Sequence, residues 1–238
     1  MENLSITRAE NKIQAAQLAC QRLNKLLAEN KKNPILLMLS GGSAFNILVY
    51  INPEVLGENV TITMLDERFS QDEKVTNFGQ LQKTQFYMDA FEKECSFLGS
   101  VPRPKESLKA FTERRESSLR KWHEENPKGK IIATVGIGPD GHTAGIFPFP
   151  ESPETFKFLF QGPNWVLGYD ASEKNEFKER VTITITFFKM IDEAIIYMTG
   201  EEKKPALDKL ISKADDIQNL PALAIYEIKN VTIFTDIA

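Results

Sequence analysis

Short apolar runs alternate with longer amphipathic segments along the first half of this chain. Apolar positions recur at helical spacing between residues 7 and 30, which predicts a first helix. Residues 35–39, 60–65 and 131–135 form short, continuous apolar runs of the length expected for buried strands. Because helical segments separate these runs, the pattern predicts a mostly parallel sheet with helices on both faces.

The same alternation continues to the end of the chain. Further helices are predicted at residues 42–50, 77–90, 106–125 and 203–213, and further strands at 165–169, 181–185, 195–198 and 231–234. No internal repeat or low-complexity linker interrupts the pattern, so we predict a single three-layer α/β domain over residues 1–238. Sheets of this kind bind ligands at the carboxyl ends of their strands. The residues that follow each predicted strand are therefore the candidates for function.

Composition narrows the class of protein. The chain has 238 residues, of which 42% are hydrophobic, enough for one large core. Its 29 Lys and Arg against 33 Asp and Glu give a net charge of −4, which favours neither a nucleic acid nor an anionic membrane as partner. Cys20 and Cys95 lie far apart and outside any metal-ligand spacing. No apolar run reaches the roughly 20 residues of a membrane span, so we expect a cytoplasmic protein, monomeric or weakly dimeric.

The first candidate loop is the turn Ser40-Gly41-Gly42-Ser43, between a predicted strand and a predicted helix. Such a turn presents bare backbone N–H groups and the positive end of a helix dipole to an anion. An ordinary glycine turn with a serine helix cap is an equally good interpretation of these four residues alone. The tetrapeptide matches neither a Walker sequence nor a dinucleotide-binding sequence.

Charged side chains lie beside the ends of three other predicted strands. Asp66-Glu67-Arg68 places two carboxylates and a guanidinium where arginine could hold a phosphate and a carboxylate could orient water or a sugar hydroxyl. Arg180 opens a predicted strand, and Lys203 follows Gly200 after another. Taken alone, each of these groups is more often a solvated surface group than a ligand-binding one.

The segment from Gly136 to Ala144 carries the clearest chemistry. His142 is one of only two histidines and follows Asp140 by two residues, so the acid can reach the imidazole and set its tautomer. An imidazole is well suited to accept a proton from water near neutral pH. The alternative is a hydrogen-bonded loop histidine without a catalytic role. The second histidine, His123, lies in a charged helix and is interpreted as a surface residue.

Taken in order, these segments resemble the 6-phosphogluconolactonase family, within the larger group that includes glucosamine-6-phosphate deaminase. The similarity covers essentially the whole chain and rests on SGGS, DER with Asn77 ten residues later, GxGxDGHTA with Phe147-Pro148, RxTxT, GxxK, Leu220-Pro221-Ala222 and a last strand ending at Asp236. It implies a modified Rossmann-like fold of the deaminase and lactonase type. GxGxDGHTA is the specific part, whereas SGGS and GxxK are weak alone.

The resemblance also implies a reaction, the hydrolysis of 6-phosphogluconolactone in the pentose phosphate pathway by a carboxylic ester hydrolase. His142 would activate water, and Asp140 would orient the His142 imidazole. The sugar phosphate would be bound by Gly41, Gly42, Ser43, Asp66, Arg68, Arg180 and Lys203. The family pattern implies neither a metal nor an organic cofactor. A δ-lactone is a reactive ester, so a positioned base with donors at the oxyanion suffices without a covalent nucleophile.

Two features favour a lactonase over a deaminase. Arg68 stands where deaminases typically have tyrosine, and the acid-free segment 145–148 stands where they have a Phe-Asn-Glu run. A non-catalytic sugar-phosphate sensor is a third hypothesis. The chain departs from the usual lactonase pattern at Gly145, where serine is common, and at Phe69-Ser70-Gln71, where Val-Pro is common.

Overall fold

The computed structural model describes residues 3–238, and ten strands lie within that range. They are β1 (Leu4–Arg8), β2 (Ile35–Leu39), β3 (Val60–Met64), β4 (Asp66–Arg68), β5 (Ser96–Phe97), β6 (Lys130–Gly136), β7 (Val166–Asp170), β8 (Glu179–Ile183), β9 (Glu193–Tyr197) and β10 (Asn230–Thr235). The helices are α1 (Lys12–Glu29), α2 (Asn77–Leu81), α3 (Gln85–Glu92), α4 (Leu108–Glu125), α5 (Pro153–Phe160), α6 (Ile185–Phe188) and α7 (Lys204–Ser212). None of the helices between residues 3 and 238 is long and apolar enough to span a membrane.

Seven of the strands form one parallel sheet in the order β1-β10-β9-β6-β2-β3-β5. Strand β2 shows why its sequence is apolar at every position. Leu36 and Met38 belong to the hydrophobic cluster on one face of the sheet, and Leu37 and Leu39 to the cluster on the other. All are at most 1% exposed. The sheet is thus covered on both faces, which confirms the predicted three-layer α/β class.

A second sheet, which the sequence did not indicate, contains β4, β8 and β7 in antiparallel order. Residues 66–68, which the sequence places after the end of a strand, themselves form a strand one residue after β3. The segments near 165–169 and 181–185 are strands, but they pair with each other and with β4 rather than joining the parallel sheet. A short buried strand has the same local composition in either sheet, so its partner is decided by contacts distant in sequence.

Several element boundaries also differ from those predicted. The predicted first helix starts too early, because residues 7 and 8 belong to strand β1. Helix α1 begins only after Asn11, whose side chain accepts hydrogen bonds from the amides of Ile13 and Gln14. The helix predicted at 77–90 is two helices, because the Thr84 side chain caps a new helix start. Residues 42–50 form a 3-10 helix. Strand β5 and helix α5 were not predicted.

The order of the central strands positions the candidate loops. Strand β6 lies between β2 and β9, and all three run in the same direction. The loops that follow them contain the SGGS turn, the Gly136–Ala144 segment and Lys203. Parallel strands end at one edge of a sheet, so three segments distant in sequence meet there.

Candidate active site

A cavity of about 280 Å³ lies at the carboxyl ends of β2 and β6, between the two sheets. It brings together eight of the nine residues predicted for the site: Gly41, Gly42, Ser43, Asp66, Arg68, His142, Arg180 and Lys203. The ninth, Asp140, reaches the cavity through its contact with His142. Residues from five segments of the chain thus form one concave, polar site.

The side chains of Asp140 and His142, in the loop after β6, form a close pair. Asp140 Oδ1 lies 2.6 Å from His142 Nδ1 and also accepts a hydrogen bond from the His142 backbone amide at 3.1 Å. Gly138 leaves room for the pair, because a Cβ atom there would lie 2.2 Å from the imidazole ring. Burial alone would raise the pKa of the Asp140 carboxyl, but the hydrogen bond and charge of His142 outweigh it and lower that pKa. Asp140 is therefore poised to remain ionised beside the imidazole.

The glycine turn after β2 is tied to its neighbours by hydrogen bonds. The Gly136 amide donates to Ser40 Oγ at 3.2 Å, which joins the ends of β6 and β2. Gly41 packs directly on the Asn77 side chain, since a Cβ atom would lie 2.2 Å from Asn77 Oδ1. Asn77 in turn donates to the Asp66 carbonyl at 3.0 Å. The turn is thereby held against the small sheet, with the first turn of the 3-10 helix at the cavity.

The small sheet supplies a buried ion pair and a second guanidinium. Arg180 donates to Asp66, and both side chains are less than 10% exposed. Arg68 lies opposite Arg180 in the antiparallel register and donates from Nη1 to the Val75 carbonyl at 2.6 Å. Burial, followed by the charge of Arg180, lowers the pKa of Arg68. The Nε atoms of both arginines are buried without a hydrogen-bond partner among the described residues, so each retains an unused donor.

Lys203 differs from Arg180 in its pairing. It is half-buried at the cavity, and burial lowers the pKa of its ammonium group despite the nearby charges of Glu202 and Asp236. Within residues 3–238, no carboxylate lies within ion-pair distance of its Nζ atom. Lys203 and Arg68 are therefore without an ion-pair partner among residues 3–238, whereas Arg180 is paired with Asp66.

Two charged residues lie behind the cavity: Glu67, which the sequence grouped with Asp66 and Arg68, and Arg115, which sequence reasoning missed. Glu67 is fully buried and accepts backbone hydrogen bonds from Arg68, Asn77 and Phe78 at 2.6–2.8 Å. It holds the start of α2 rather than facing substrate, and burial raises its pKa to about 7. Arg115 of α4 is also buried and donates to the Met64 carbonyl. Its position four residues after Phe111 and four before Leu119, on the apolar face of α4, was the available signal.

Among residues 3–238, no group of three or more His, Cys, Asp or Glu side chains is arranged to hold a metal ion. The protein groups that face the cavity are hydrogen-bond donors, cations and an imidazole paired with a carboxylate. Such a set can bind an anion and move a proton.

Comparison with known proteins adds independent information. The sequence profile described as glucosamine-6-phosphate isomerases/6-phosphogluconolactonase matches residues 7–234. A probable 6-phosphogluconolactonase from Dictyostelium discoideum is 26% identical over 86% of this chain and 85% of its own length. A 6-phosphogluconolactonase from Neisseria meningitidis is 27% identical over 84% of this chain and 85% of its own length.

Solved structures share the fold. A 6-phosphogluconolactonase from Plasmodium vivax superimposes with a TM-score of 0.75 at 16% identity, covering 99% of this chain and 91% of that one. The corresponding structure from Trypanosoma brucei gives a TM-score of 0.74 at 18% identity, covering 99% and 97%. The whole described chain therefore adopts an architecture seen in these enzymes.

Proposed function

Because the chain belongs to the glucosamine-6-phosphate isomerase/6-phosphogluconolactonase family, we propose that it hydrolyses 6-phospho-D-glucono-1,5-lactone to 6-phosphogluconate in the oxidative pentose phosphate pathway. The observation that carries this proposal is the meeting of the His142–Asp140 pair with Arg68 and Lys203 in one cavity. A base and two cations in one cavity suit a substrate with a phosphate at one end and a carbonyl at the other.

His142 acts as the general base in this reaction. Its Nδ1 atom is occupied by Asp140, which leaves Nε2 to accept a proton from water. The water oxygen bonds to C1 of the lactone, and the carbonyl electrons move onto its oxygen. Collapse of this intermediate breaks the bond between C1 and the ring oxygen, and the protonated His142 returns the proton to that oxygen. A positioned general base contributes about 10²–10⁴-fold to such a step.

The phosphate is held by Lys203, Arg68 and the backbone of the SGGS turn. Lys203 lacks a carboxylate partner among the described residues, and Arg68 retains a buried donor at Nε. Arg180 is instead committed to Asp66, so its main role is to hold that carboxylate and the small sheet in place. This division distinguishes the cations by their existing partners.

Ammonia release from glucosamine 6-phosphate, the reaction of the other branch of the family, is disfavoured by the loop after His142. Residues 143–150 contain no carboxylate. In this segment the Phe147 ring packs beside the His142 imidazole, with 5.1 Å between the two ring centroids. Glu151, the next acid, binds Lys174 on the surface.

A coupled assay with fresh lactone tests the proposal. We expect the wild-type protein to exceed spontaneous hydrolysis and His142→Ala to lose about 10²–10⁴-fold in kcat while retaining sugar-phosphate binding. His123→Ala is the matched control. It removes the second histidine of the chain, which lies on α4 away from the cavity, and it should keep full activity. Binding of 6-phosphogluconate by calorimetry without turnover would instead identify a sensor, and ammonia release from glucosamine 6-phosphate a deaminase.

A further inference from the structure

A two-residue turn in the catalytic loop holds a backbone amide that no assigned role uses. The Thr143 amide donates to the Ile146 carbonyl at 3.2 Å and the Ile146 amide to the Thr143 carbonyl at 2.7 Å, which closes a tight hairpin. Its two central residues, Ala144 and Gly145, have φ values of +47° and +71°. Because both φ values lie in the left-handed region, the two residues form a type I′ turn. Ala144 and Gly145 line the same cavity as His142.

Both carbonyl groups of the turn are held by buried side chains of the small sheet. The Thr182 hydroxyl donates to the Ala144 carbonyl, and the Tyr169 hydroxyl donates to the Gly145 carbonyl at 2.7 Å. Thr182 is fully buried and Tyr169 is 6% exposed. The peptide between Ala144 and Gly145 is therefore held with its oxygen directed into the core.

The orientation of that peptide determines where its N–H group points. In a trans peptide the N–H and C=O bonds point in opposite directions, and no cis peptide occurs in the described chain. Because the Ala144 oxygen faces Thr182, the Gly145 N–H faces away from the core and toward the cavity. Within residues 3–238 this N–H has no hydrogen-bond acceptor. An N–H that lines the cavity without a protein acceptor is free to donate to an acceptor on a ligand.

We propose that the Gly145 N–H binds the carbonyl oxygen of the lactone and stabilises the oxyanion that forms there during attack by water. Gly145 is then a catalytic residue, whereas Thr182 and Tyr169 are positioning residues that aim its amide. The inference rests on the proposed lactonase function. It assigns the carbonyl oxygen to the catalytic loop itself and leaves Lys203 and Arg68 to the phosphate.

Glycine at this position allows the turn to approach the Asp66–Arg180 ion pair. A Cβ atom on Gly145 would lie 2.9 Å from Asp66 Cβ and 3.0 Å from Asp66 Oδ2. Serine, common here in the family, would therefore displace either the turn or the buried carboxylate. We infer that the departure at Gly145 places the amide closer to the small sheet than a larger residue would allow.

Variants of the two positioning residues test the inference. Thr182→Val and Tyr169→Phe each remove one hydroxyl while keeping the shape of the side chain. We expect the double variant to lose about 10²-fold in kcat, near the loss for one oxyanion donor, with little change in KM. Affinity for 1,5-anhydroglucitol 6-phosphate, whose C1 carries the ring oxygen but no exocyclic oxygen, should stay unchanged.

The chain offers matched controls for both substitutions. Thr184→Val removes a buried hydroxyl that donates to the Asn164 carbonyl, and Tyr197→Phe removes one that donates to the Lys12 carbonyl. Neither carbonyl belongs to the catalytic loop. We expect both controls to keep the wild-type kcat even where they lower stability. If the controls lose as much kcat as Thr182→Val and Tyr169→Phe, the hydroxyls act through stability and the inference is wrong.

A backbone substitution covers the case in which the double variant fails to fold. Replacing Gly145 with glycolic acid exchanges its N–H for an ester oxygen, and we expect a kcat loss of about 10²-fold. Wild-type protein without lactonase activity would refute the proposed function. Active wild type together with an ester variant of unchanged kcat would refute only the role of the Gly145 amide.

Discussion

The two walls of the cavity hold their charges in contrasting environments. On the wall formed by the parallel sheet, the side chains of His142 and Asp140 are 37% and 48% exposed. On the wall formed by the small sheet, those of Arg180 and Asp66 are 6% and 7% exposed. A half-exposed pair can exchange a proton with water at low cost, whereas a buried pair is costly to disturb. The first wall is therefore suited to proton transfer, and the second to holding geometry.

The contrast predicts that the largest loss of stability comes from the small-sheet wall. Asp66→Ala leaves the Arg180 guanidinium buried without its carboxylate. Removing one partner of a buried pair costs about 3–5 kcal/mol, so we expect that decrease in the free energy of unfolding, measured by chemical denaturation. The double variant Asp66→Leu with Arg180→Met removes both charges and should recover most of it. A double variant as unstable as Asp66→Ala would contradict this account.

Glu67, behind the same wall, should make stability depend on pH. Its pKa is raised to about 7 by burial, so the folded protein keeps this proton at pH values where the unfolded chain has released it. The resulting stabilisation is complete below the usual carboxyl pKa and is lost as the pH rises through about 7. Relative to Glu67→Gln, the wild-type free energy of unfolding should fall by up to about 3 kcal/mol between about pH 5 and pH 8.

The control for this pH dependence is Glu113→Gln, on the exposed face of α4. It removes a carboxylate without touching the buried cluster, so its pH profile should run parallel to that of the wild type. If the Glu67→Gln profile is also parallel to that of the wild type, the pKa of Glu67 does not differ between the folded and unfolded states and this account is wrong.

On the exposed wall, activity and stability should separate. Asp140→Asn removes the carboxylate that holds His142 Nδ1. We expect kcat to fall by about 10²-fold, since the imidazole loses its orientation and tautomer. The free energy of unfolding should change by less than about 1 kcal/mol, because the pair is half-exposed. Steady-state kinetics and chemical denaturation on one preparation measure kcat and the free energy of unfolding. A large loss of stability with unchanged kcat would contradict the roles given to the two walls.

The smallest expected effect concerns Arg68, which lies at the margin of the buried wall. Arg68→Lys keeps the charge but loses the planar fork that can bind both Val75 and a phosphate. We expect affinity for 6-phosphogluconate to fall about tenfold, or roughly 1.4 kcal/mol, by calorimetry. Arg120→Lys, at the ion pair with Glu116 on α4, is the matched control and should leave affinity unchanged. Equal losses in both variants would exclude a specific role for Arg68.

Those parts of the molecule that depend on local pattern could be predicted from the sequence. Strands β2, β3 and β6 were found because burial on both faces requires an unbroken apolar run. Asp140 and His142 were paired because two residues in a glycine-rich loop span the distance between a carboxylate and an imidazole. The breaks at Asn11 and Thr84 were missed, since capping depends on whether a polar side chain turns back to the helix amides.

The roles of Asp66, Glu67 and Arg68 could not be separated from sequence. In a strand, alternate residues face opposite sides, but that rule applies only once residues 66–68 are known to pair with β8. Pairing then directs Asp66 to Arg180 and the cavity, and Glu67 to the amides of α2. Sequence likewise could not show that Lys203 lacks an ion-pair partner among the described residues while Arg180 has one.

The sequence by itself determined the alternation of buried strands and helices, the composition of the catalytic loop and the family of the protein. These properties depend on residues close in the chain, where periodicity and short spacings act directly. Only the tertiary structure decided that β4, β7 and β8 form a separate sheet, that Arg180 is paired while Lys203 is not, and that Thr182 holds the Ala144 carbonyl. Each of these depends on contacts between segments far apart in sequence, whose partners no local pattern specifies.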